Sequence, residues 1–228
     1  MYENLPKYWE SIVGDIHKPL EYTKSLYNNS NEFDICPRRS DLFKVFHLVK
    51  PENVRVVILG QDPYFSLDKV GIPVADGIAF SVGNNPPQPT LVNIIKELRE
   101  EGELKLSETY DLSQWVKQGV LLLNICLIAR TGQANLYSNI GWSILTRNVI
   151  HYLTSDDRPL VFMFWGNFAK VARAYVVSGS RNKLFLFATH PSPRSASSGF
   201  FKCGHFIKCN EFLKQNGLKS IDWNLYNV

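Results

Sequence analysis

The hydrophobic positions of this chain fall into short unbroken runs, separated by longer amphipathic stretches. The runs are rich in β-branched or aromatic residues and predict strands at Val54–Leu59, Gly119–Leu123, Leu160–Trp165 and Leu184–Ala188. Because no run alternates strictly with polar residues, both faces of each strand are expected to be covered. Apolar stripes at helical spacing predict helices at Thr90–Glu101, Ile140–Leu153, Asn167–Val177 and Gly204–Gln215.

The order of these elements predicts the fold class. Strands that alternate with helices indicate an α/β fold with a central four-stranded parallel sheet flanked by helices. The first fifty or so residues are expected to be helical in two pieces, divided at Asp34–Pro37. No shift in composition marks a boundary, so residues 1–228 are predicted to form a single domain.

Composition narrows the class of protein. A hydrophobic fraction of 45% and a charged fraction of 20% are typical of a globular protein and exclude a disordered one. No apolar run approaches the roughly 18 residues of a membrane span, and the first residues do not resemble a secretory signal. Lys and Arg exceed Asp and Glu by 25 − 21 = 4, which permits a nucleic-acid partner without requiring one.

Cysteine usage bears on the compartment. The four cysteines include no CxxC pair and are expected to be scattered reduced thiols, although a metal or iron–sulfur site is an alternative. Reduced thiols predict an intracellular, cytoplasmic protein.

Polar residues follow the predicted strands at the point where each strand ends. Asp62 lies just beyond the first strand, Asn124 ends the second, and His190 follows the fourth. Sites in parallel α/β sheets form at these carboxyl ends. Each residue also has a structural alternative: an Asp-Pro turn, a carboxamide that caps a turn, and a histidine held by its neighbours.

Taken together, the motifs at these strand ends resemble the family 1 uracil-DNA glycosylases. The family's GQDPY motif is Gly60–Tyr64, its LLLN stretch is Leu121–Asn124, and its HPSP loop is His190–Pro193. Gly77–Val82 resembles the strand that carries the family's uracil-stacking aromatic residue, and Gln133–Asn135 also falls where the family has it. The resemblance covers roughly residues 40–224.

The resemblance implies an enzyme that flips uracil out of DNA and hydrolyses its N-glycosidic bond, without a metal or cofactor. Asp62 and His190 would be catalytic, and uracil would be bound by Gln61, Tyr64, Phe80 and Asn124. Contacts to DNA would come from Ser81, Pro86, Pro87, Thr90, Ser192, Pro193, Arg194 and Ser195. The implied partners are uracil-containing DNA and a proteinaceous glycosylase inhibitor, with the enzyme acting as a monomer and without a membrane.

The chain departs from the family pattern at several positions near these motifs. Phe65 stands where the family usually has a histidine, and the loop from Phe65 to Phe80 is about six residues longer than is typical. Arg194 replaces a leucine that wedges into the duplex, and Ser198 stands where the family often has arginine. These departures are compatible with an altered grip on DNA.

Two other classes of function compete with a repair enzyme. The presence of Asp62, Asn124 and His190 favours an enzyme, because a DNA-binding or processivity subunit on the same fold need not keep all three residues. The changes at Phe65 and Arg194 slightly favour such a subunit. A small-molecule α/β hydrolase would need a G-x-S-x-G nucleophile elbow, which the chain lacks.

Overall fold

The computed structural model describes residues 2–31, 33–179 and 181–227. Its strands are β1 (Ile35–Cys36), β2 (Val56–Gly60), β3 (Val120–Asn124), β4 (Ala129–Arg130), β5 (Leu160–Trp165) and β6 (Lys183–Ala188). Its α-helices are α1 (Lys7–Val13), α2 (His17–Asn29), α3 (Lys44–Leu48), α4 (Pro89–Glu100), α5 (Ser113–Lys117), α6 (Ser143–Ser155), α7 (Gly166–Val171) and α8 (His205–Gln215). Over the described ranges, no helix is both long and apolar enough to cross a bilayer.

The central sheet is parallel and has the strand order β3-β2-β5-β6, which confirms the predicted α/β class. Every residue of β2, β3 and β5 is buried, as their unbroken apolar runs predict. Gly60 pairs with Asn124 in the register of β2 and β3, and Trp165 pairs with Ala188 at the end of β5 and β6. The segments that leave these four strands therefore begin at one edge of the sheet.

The predicted helices lie close to their expected positions, with one difference in length. In α4, the stripe of Leu91, Ile94 and Leu98 is buried in the hydrophobic core. The helix predicted at Asn167–Val177 is instead α7 followed by a 3-10 turn at Ala172–Tyr175. The two valines that follow are β-branched, which disfavours continuation of the helix.

The N-terminal region has more structure than two helical pieces. α1 and α2 precede the predicted break, and the break itself contains β1, whose Ile35 pairs with Arg130 of β4 in a short antiparallel ribbon. A ladder of two residues has no periodic pattern, so the sequence did not indicate it. The ribbon ties the N-terminal region to the segment after β3, which lies next to the site.

Candidate active site

A cavity of about 220 Å³ opens at the carboxyl edge of the sheet. Six of the predicted site residues line it: Gln61, Asp62, Tyr64, Phe80, Thr90 and His190. Pro63, Phe65, Ala134 and Asn135 complete its wall. Residues from five separate segments of the chain therefore converge on one concave surface, and four of these segments carry the predicted site residues.

Asn124 lies beside this group at the end of β3, only 8% exposed. Its register partner is Gly60, and a Cβ atom at position 60 would fall on Oδ1 of Asn124. The glycine thus leaves room for the carboxamide across the end of β2. Oγ1 of Thr146 donates to the backbone carbonyl of Asn124 at 3.4 Å, whereas the carboxamide itself makes no hydrogen bond within the part of the chain that the structure describes.

Asp62 is oriented by the segment after β4. The backbone N–H of Asn135 donates to Oδ2 of Asp62 at 2.9 Å. Burial raises the pKa of Asp62 above its ordinary value, and the Asn135 hydrogen bond partly offsets this by favouring the carboxylate. Gln61 donates from Nε2 to Oδ1 of Asn135, so one residue fixes two side chains of the GQDPY motif.

His190 is held as a neutral imidazole with a defined tautomer. The backbone N–H of Ser192 donates to Nδ1 of His190 at 3.0 Å, which assigns the ring proton to Nε2. Burial lowers the pKa of His190 below its ordinary value of 6.5, so the ring is uncharged at neutral pH. Gly166 makes room for this placement, because a Cβ there would lie 2.9 Å from Cβ of His190. The result is a fixed N–H donor at the cavity.

Phe80 forms an aromatic platform in the cavity. Its ring centroid lies 6.4 Å from that of His190 and 5.7 Å from that of Trp165. The expected strand at Gly77–Val82 is wrong, because these residues form a turn in which Phe80 has a φ of 66°. Such a backbone is costly for a residue with a side chain and persists only where its surroundings hold it.

The residues that hold this turn form a polar cluster beneath Phe80. Oδ2 of Asp76 accepts from Nζ of Lys44 and from Oγ of Ser81, both at 2.8 Å, and Ser81 also accepts from the N–H of Leu112 at 3.2 Å. Ser81 is 0% exposed, so the expectation that it contacts a DNA phosphate is wrong. Its hydroxyl is used inside the protein, where it braces the turn that carries Phe80.

The HPSP loop is braced by its own serines. Oγ of Ser195 donates to the His190 carbonyl at 2.7 Å, and the hydroxyls of Ser192 and Ser195 lie 3.1 Å apart. Nδ2 of Asn93, on α4, donates to the carbonyl of Pro191 at 2.8 Å and so ties this loop to the helix that begins at the cavity. Pro193 and Arg194 lie exposed at the tip of the loop.

Among the residues predicted to contact DNA, Thr90 lines the cavity at the start of α4. Pro86 is exposed and Pro87 is half-buried in the segment before that helix, outside the cavity. Tyr64 turns its hydroxyl into the protein, where it is buried and burial raises its pKa. Its ring therefore presents carbon atoms to the cavity.

Three residues with structural influence on the site received no role from the sequence. Asn135 lay within a family-like segment, Gly166 followed a strand, and Asp76 was part of an unusual loop. Asn135 (φ 61°) and Gly166 (φ 82°) share a positive φ with Phe80, and a backbone conformation of this kind leaves little mark on a hydrophobic pattern. The Lys44–Asp76 pair joins positions 32 residues apart, which spacing alone does not connect.

A half-buried acid, a fixed neutral imidazole, a carboxamide at a strand end and an aromatic platform define a class of enzyme that binds a flat heterocycle and stabilises charge as a bond to it breaks. A model of the uracil DNA glycosylase superfamily matches residues 46–214. The chain is 40% identical over 223 residues to a uracil-DNA glycosylase of Brevibacillus brevis, which covers 95% of this chain and 93% of that protein. It is 39% identical to one from Fusobacterium nucleatum, with 96% of each chain covered.

Solved structures agree with the sequence relatives. The crystal structure of mimivirus uracil-DNA glycosylase matches with a TM-score of 0.86 at 28% identity, over 97% of this chain and 88% of that one. A substituted mimivirus enzyme in complex with UGI matches with a TM-score of 0.88 at 28% identity, over 98% of this chain and 90% of that one. The chain belongs to the uracil-DNA glycosylase superfamily. It is a hydrolase that excises uracil from DNA.

Proposed function

We propose that excision proceeds on a flipped uridine stacked on Phe80, with Asp62 and His190 stabilising the two charges that form as the N-glycosidic bond breaks. The sugar gains positive charge and the departing uracil gains negative charge. The carboxylate of Asp62 stabilises the first and aligns the attacking water. The Nε2–H of His190 donates to uracil O2 as charge grows there. The observation that carries this proposal is the fixed tautomer of His190 in the same cavity as Asp62.

Uracil recognition is assigned to the residues around the platform. The Asn124 carboxamide offers one acceptor and one donor group, which complement N3–H and O4 of uracil and mismatch the reversed pattern of cytosine. The ring of Tyr64 occupies the space beside C5, where thymine carries a methyl group. Gln61 lines the pocket and is held in place by Asn135.

Binding of the DNA backbone is assigned to the loops at the mouth of the cavity. Phosphate and sugar contacts come from Thr90, Ser192 and Ser195, with the rigid segments Pro86–Pro87 and Pro193–Arg194 on either side. Such contacts give affinity without sequence preference, which suits an enzyme that must find uracil in any context.

The test is cleavage of a labelled oligonucleotide that contains one uracil, followed by alkali and gel electrophoresis. Wild-type protein is expected to convert the strand, whereas Asp62→Ala should lower the single-turnover rate by about two to three orders of magnitude while still binding DNA. Asp157→Ala, an exposed carboxylate before β5, is the matched control. Near-normal excision by Asp62→Ala would overturn the mechanism, and wild-type protein that binds without cleaving would favour the DNA-binding subunit.

We also propose that the chain acts as a cytoplasmic monomer and that a protein inhibitor of the UGI type binds over this site. Support for the compartment comes from four free cysteines, and support for the inhibitor from the mimivirus complex. Sedimentation of the chain alone and with UGI tests the monomeric state and the binding of the inhibitor. A single species at the mass of 26.1 kDa that shifts on addition of UGI is the expected result.

A further inference from the structure

The long loop between Phe65 and Phe80 contains an ordered hairpin at Ser66–Val74. Leu67 and Pro73 pair as an antiparallel bridge, and the N–H of Val74 donates to the carbonyl of Ser66 at 3.0 Å. At the tip, Oδ1 of Asp68 accepts from the N–H groups of Val70 and Ile72 at 2.9 and 2.8 Å. An aspartate that closes a turn in this way fixes its shape.

The hairpin exposes apolar side chains where a surface loop is usually polar. Val70 is 76% exposed at the tip and Leu67 is 37% exposed on the adjoining strand, while Val74 anchors the hairpin in the core. Phe65, at the base of the hairpin, is 40% exposed and also lines the catalytic cavity. A row of apolar surface thus begins at the catalytic cavity and runs outward along the hairpin.

A second cavity of about 520 Å³ lies between this hairpin and the proline segment. Leu67, Val70, Val74 and Pro86 form its apolar wall, and Asn85 and Gln88 add carboxamides. Oγ of Ser66 lies 3.4 Å from Oε1 of Gln88, which joins the two walls at the end nearer the catalytic site. The proline segment that begins at Pro86 continues directly into Thr90, which lines the catalytic cavity.

We propose that this hairpin cavity is a subsite for an unpaired nucleobase of the strand that carries the uracil. An apolar wall of fixed shape can stack on the face of any base. Nδ2 of Asn85 donates to the Val82 carbonyl and Oε1 of Gln88 accepts from Ser66, so the Asn85 oxygen and the Gln88 amide group are left for the edge of the base. Lys69, exposed at the tip, supplies a cation for the phosphate of the same nucleotide.

The position of the cavity sets which base it can hold. Leu67 is three residues beyond Tyr64, a span of at most about 10 Å at roughly 3.3 Å per residue. That span corresponds to about three nucleotides of a stacked strand, at about 3.4 Å each, and to fewer in an extended one. The base is therefore expected within three positions of the uracil, and the subsite favours substrates in which that base is unpaired.

The experiment scans single-stranded oligonucleotides that contain one uracil and one abasic spacer, moved through the three positions on each side. For the wild-type protein, the spacer at one position should raise KM about five-fold, the low end for loss of a stacked base. The double variant Leu67→Ser, Val70→Ser should raise KM on the intact strand by a similar factor, leave kcat unchanged and become insensitive to the spacer.

Leu106→Ser is the matched control, because Leu106 is 39% exposed and lies outside both cavities. Val70→Trp enlarges the apolar wall and should lower KM for the intact single strand while leaving kcat unchanged. A spacer scan without a sensitive position in the wild type would overturn the proposal. So would a double variant that keeps the wild-type sensitivity. Wild-type excision of the intact strand, measured first, separates either result from a failure of the catalytic assignment.

Discussion

The backbone N–H of Asn135 lies 2.9 Å from Oδ2 of Asp62, and the side chain of Asn135 accepts from Gln61. The residue adopts a φ of 61°, which asparagine tolerates better than most residues because its short polar side chain bonds locally. The orientation of the proposed catalytic carboxylate therefore depends on a backbone conformation in a different loop.

Because the Asp62 carboxylate depends on the backbone at Asn135, two substitutions at position 135 should differ in their excision rates. Asn135→Gly keeps the N–H and the left-handed backbone, so it should retain excision within a few-fold of wild type. Asn135→Val disfavours that backbone, and should lower kcat by about ten-fold or more as the N–H moves away from Asp62. Single-turnover rates on one duplex substrate measure both. Equal rates for the Gly and Val variants would contradict the role of the backbone.

Specificity against cytosine should reside in Asn124. Asn124→Asp offers a carboxyl group that, when protonated, can match the cytosine edge, so the variant should gain measurable release of cytosine and lose part of its uracil activity. Oligonucleotides that differ only in the target base provide the measurement. If the variant still rejects cytosine and still removes uracil, the edge of the base is read elsewhere.

Arg194 is expected to fill the space that the flipped base leaves. Its guanidinium can stack on a neighbouring base and donate to the orphaned partner, as exposure at the tip of a proline-flanked loop allows. Arg194→Ala should slow excision from duplex DNA several-fold more than from single strands, and Arg194→Leu should restore most of the loss. Equal losses on both substrates, with a salt dependence reduced by about one contact, would instead identify a phosphate contact.

The ion pair below Phe80 should act as a positioning element. The side chains of Lys44 and Asp76 are 15% and 14% exposed, so Asp76→Asn leaves a mostly buried ammonium without its counterion. We expect a loss of about 2 kcal/mol in unfolding free energy, or roughly 4–8 °C in Tm. Inhibition by free uracil should also weaken if the Phe80 turn relaxes. Glu21→Gln, which breaks an exposed pair, should change neither quantity.

Glu101 should make stability depend on pH. Burial and the nearby Glu97 carboxylate raise the pKa of Glu101 to about 7, from an ordinary 4.5. The folded protein therefore binds more protons than the unfolded chain between these values, so the stabilisation present at low pH is lost as pH rises through about 4.5–7.

Glu101→Gln removes that titration and should flatten the decline in Tm over this range, giving a higher Tm than wild type at pH 8. The amide keeps an acceptor for the N–H groups of Phe206 and Ile207, now 3.0 and 2.8 Å from Oε2. Glu100→Gln is the control, because Glu100 is exposed and pairs with Lys96. A variant whose Tm falls with pH as steeply as the wild type would contradict the prediction.

Buried strands and their polar ends were predictable because each is a local pattern. The predicted Leu160–Trp165 has the bounds of β5, and Asp62, Asn124 and His190 all follow or end strands as expected. Parallel strands must deliver such residues to one edge, so a correct order of elements brings the site together.

What the sequence did not disclose depends on tertiary contacts. Ser81 was predicted to touch DNA, but its hydroxyl is used by Asp76 of the preceding loop and by the N–H of Leu112 from a distant segment. Phe80 was placed on a strand because its neighbours are apolar, whereas its φ of 66° is imposed by the cluster beneath it. The hairpin at Ser66–Val74 depends on the Asp68 turn, which interrupts the hydrophobic pattern.

The edge strand β6 is also the last strand of the chain, and His190 follows it directly. During synthesis, β2 and β3 leave the ribosome with Asp62, Phe80 and Asn124 well before His190 does. The site is therefore complete only once β6 has paired with β5, because Asp62 and Asn124 lie at the ends of strands that pair with each other, whereas His190 follows β6. On this assignment, the donor for the departing base is the last of the proposed catalytic and uracil-binding residues to be synthesised.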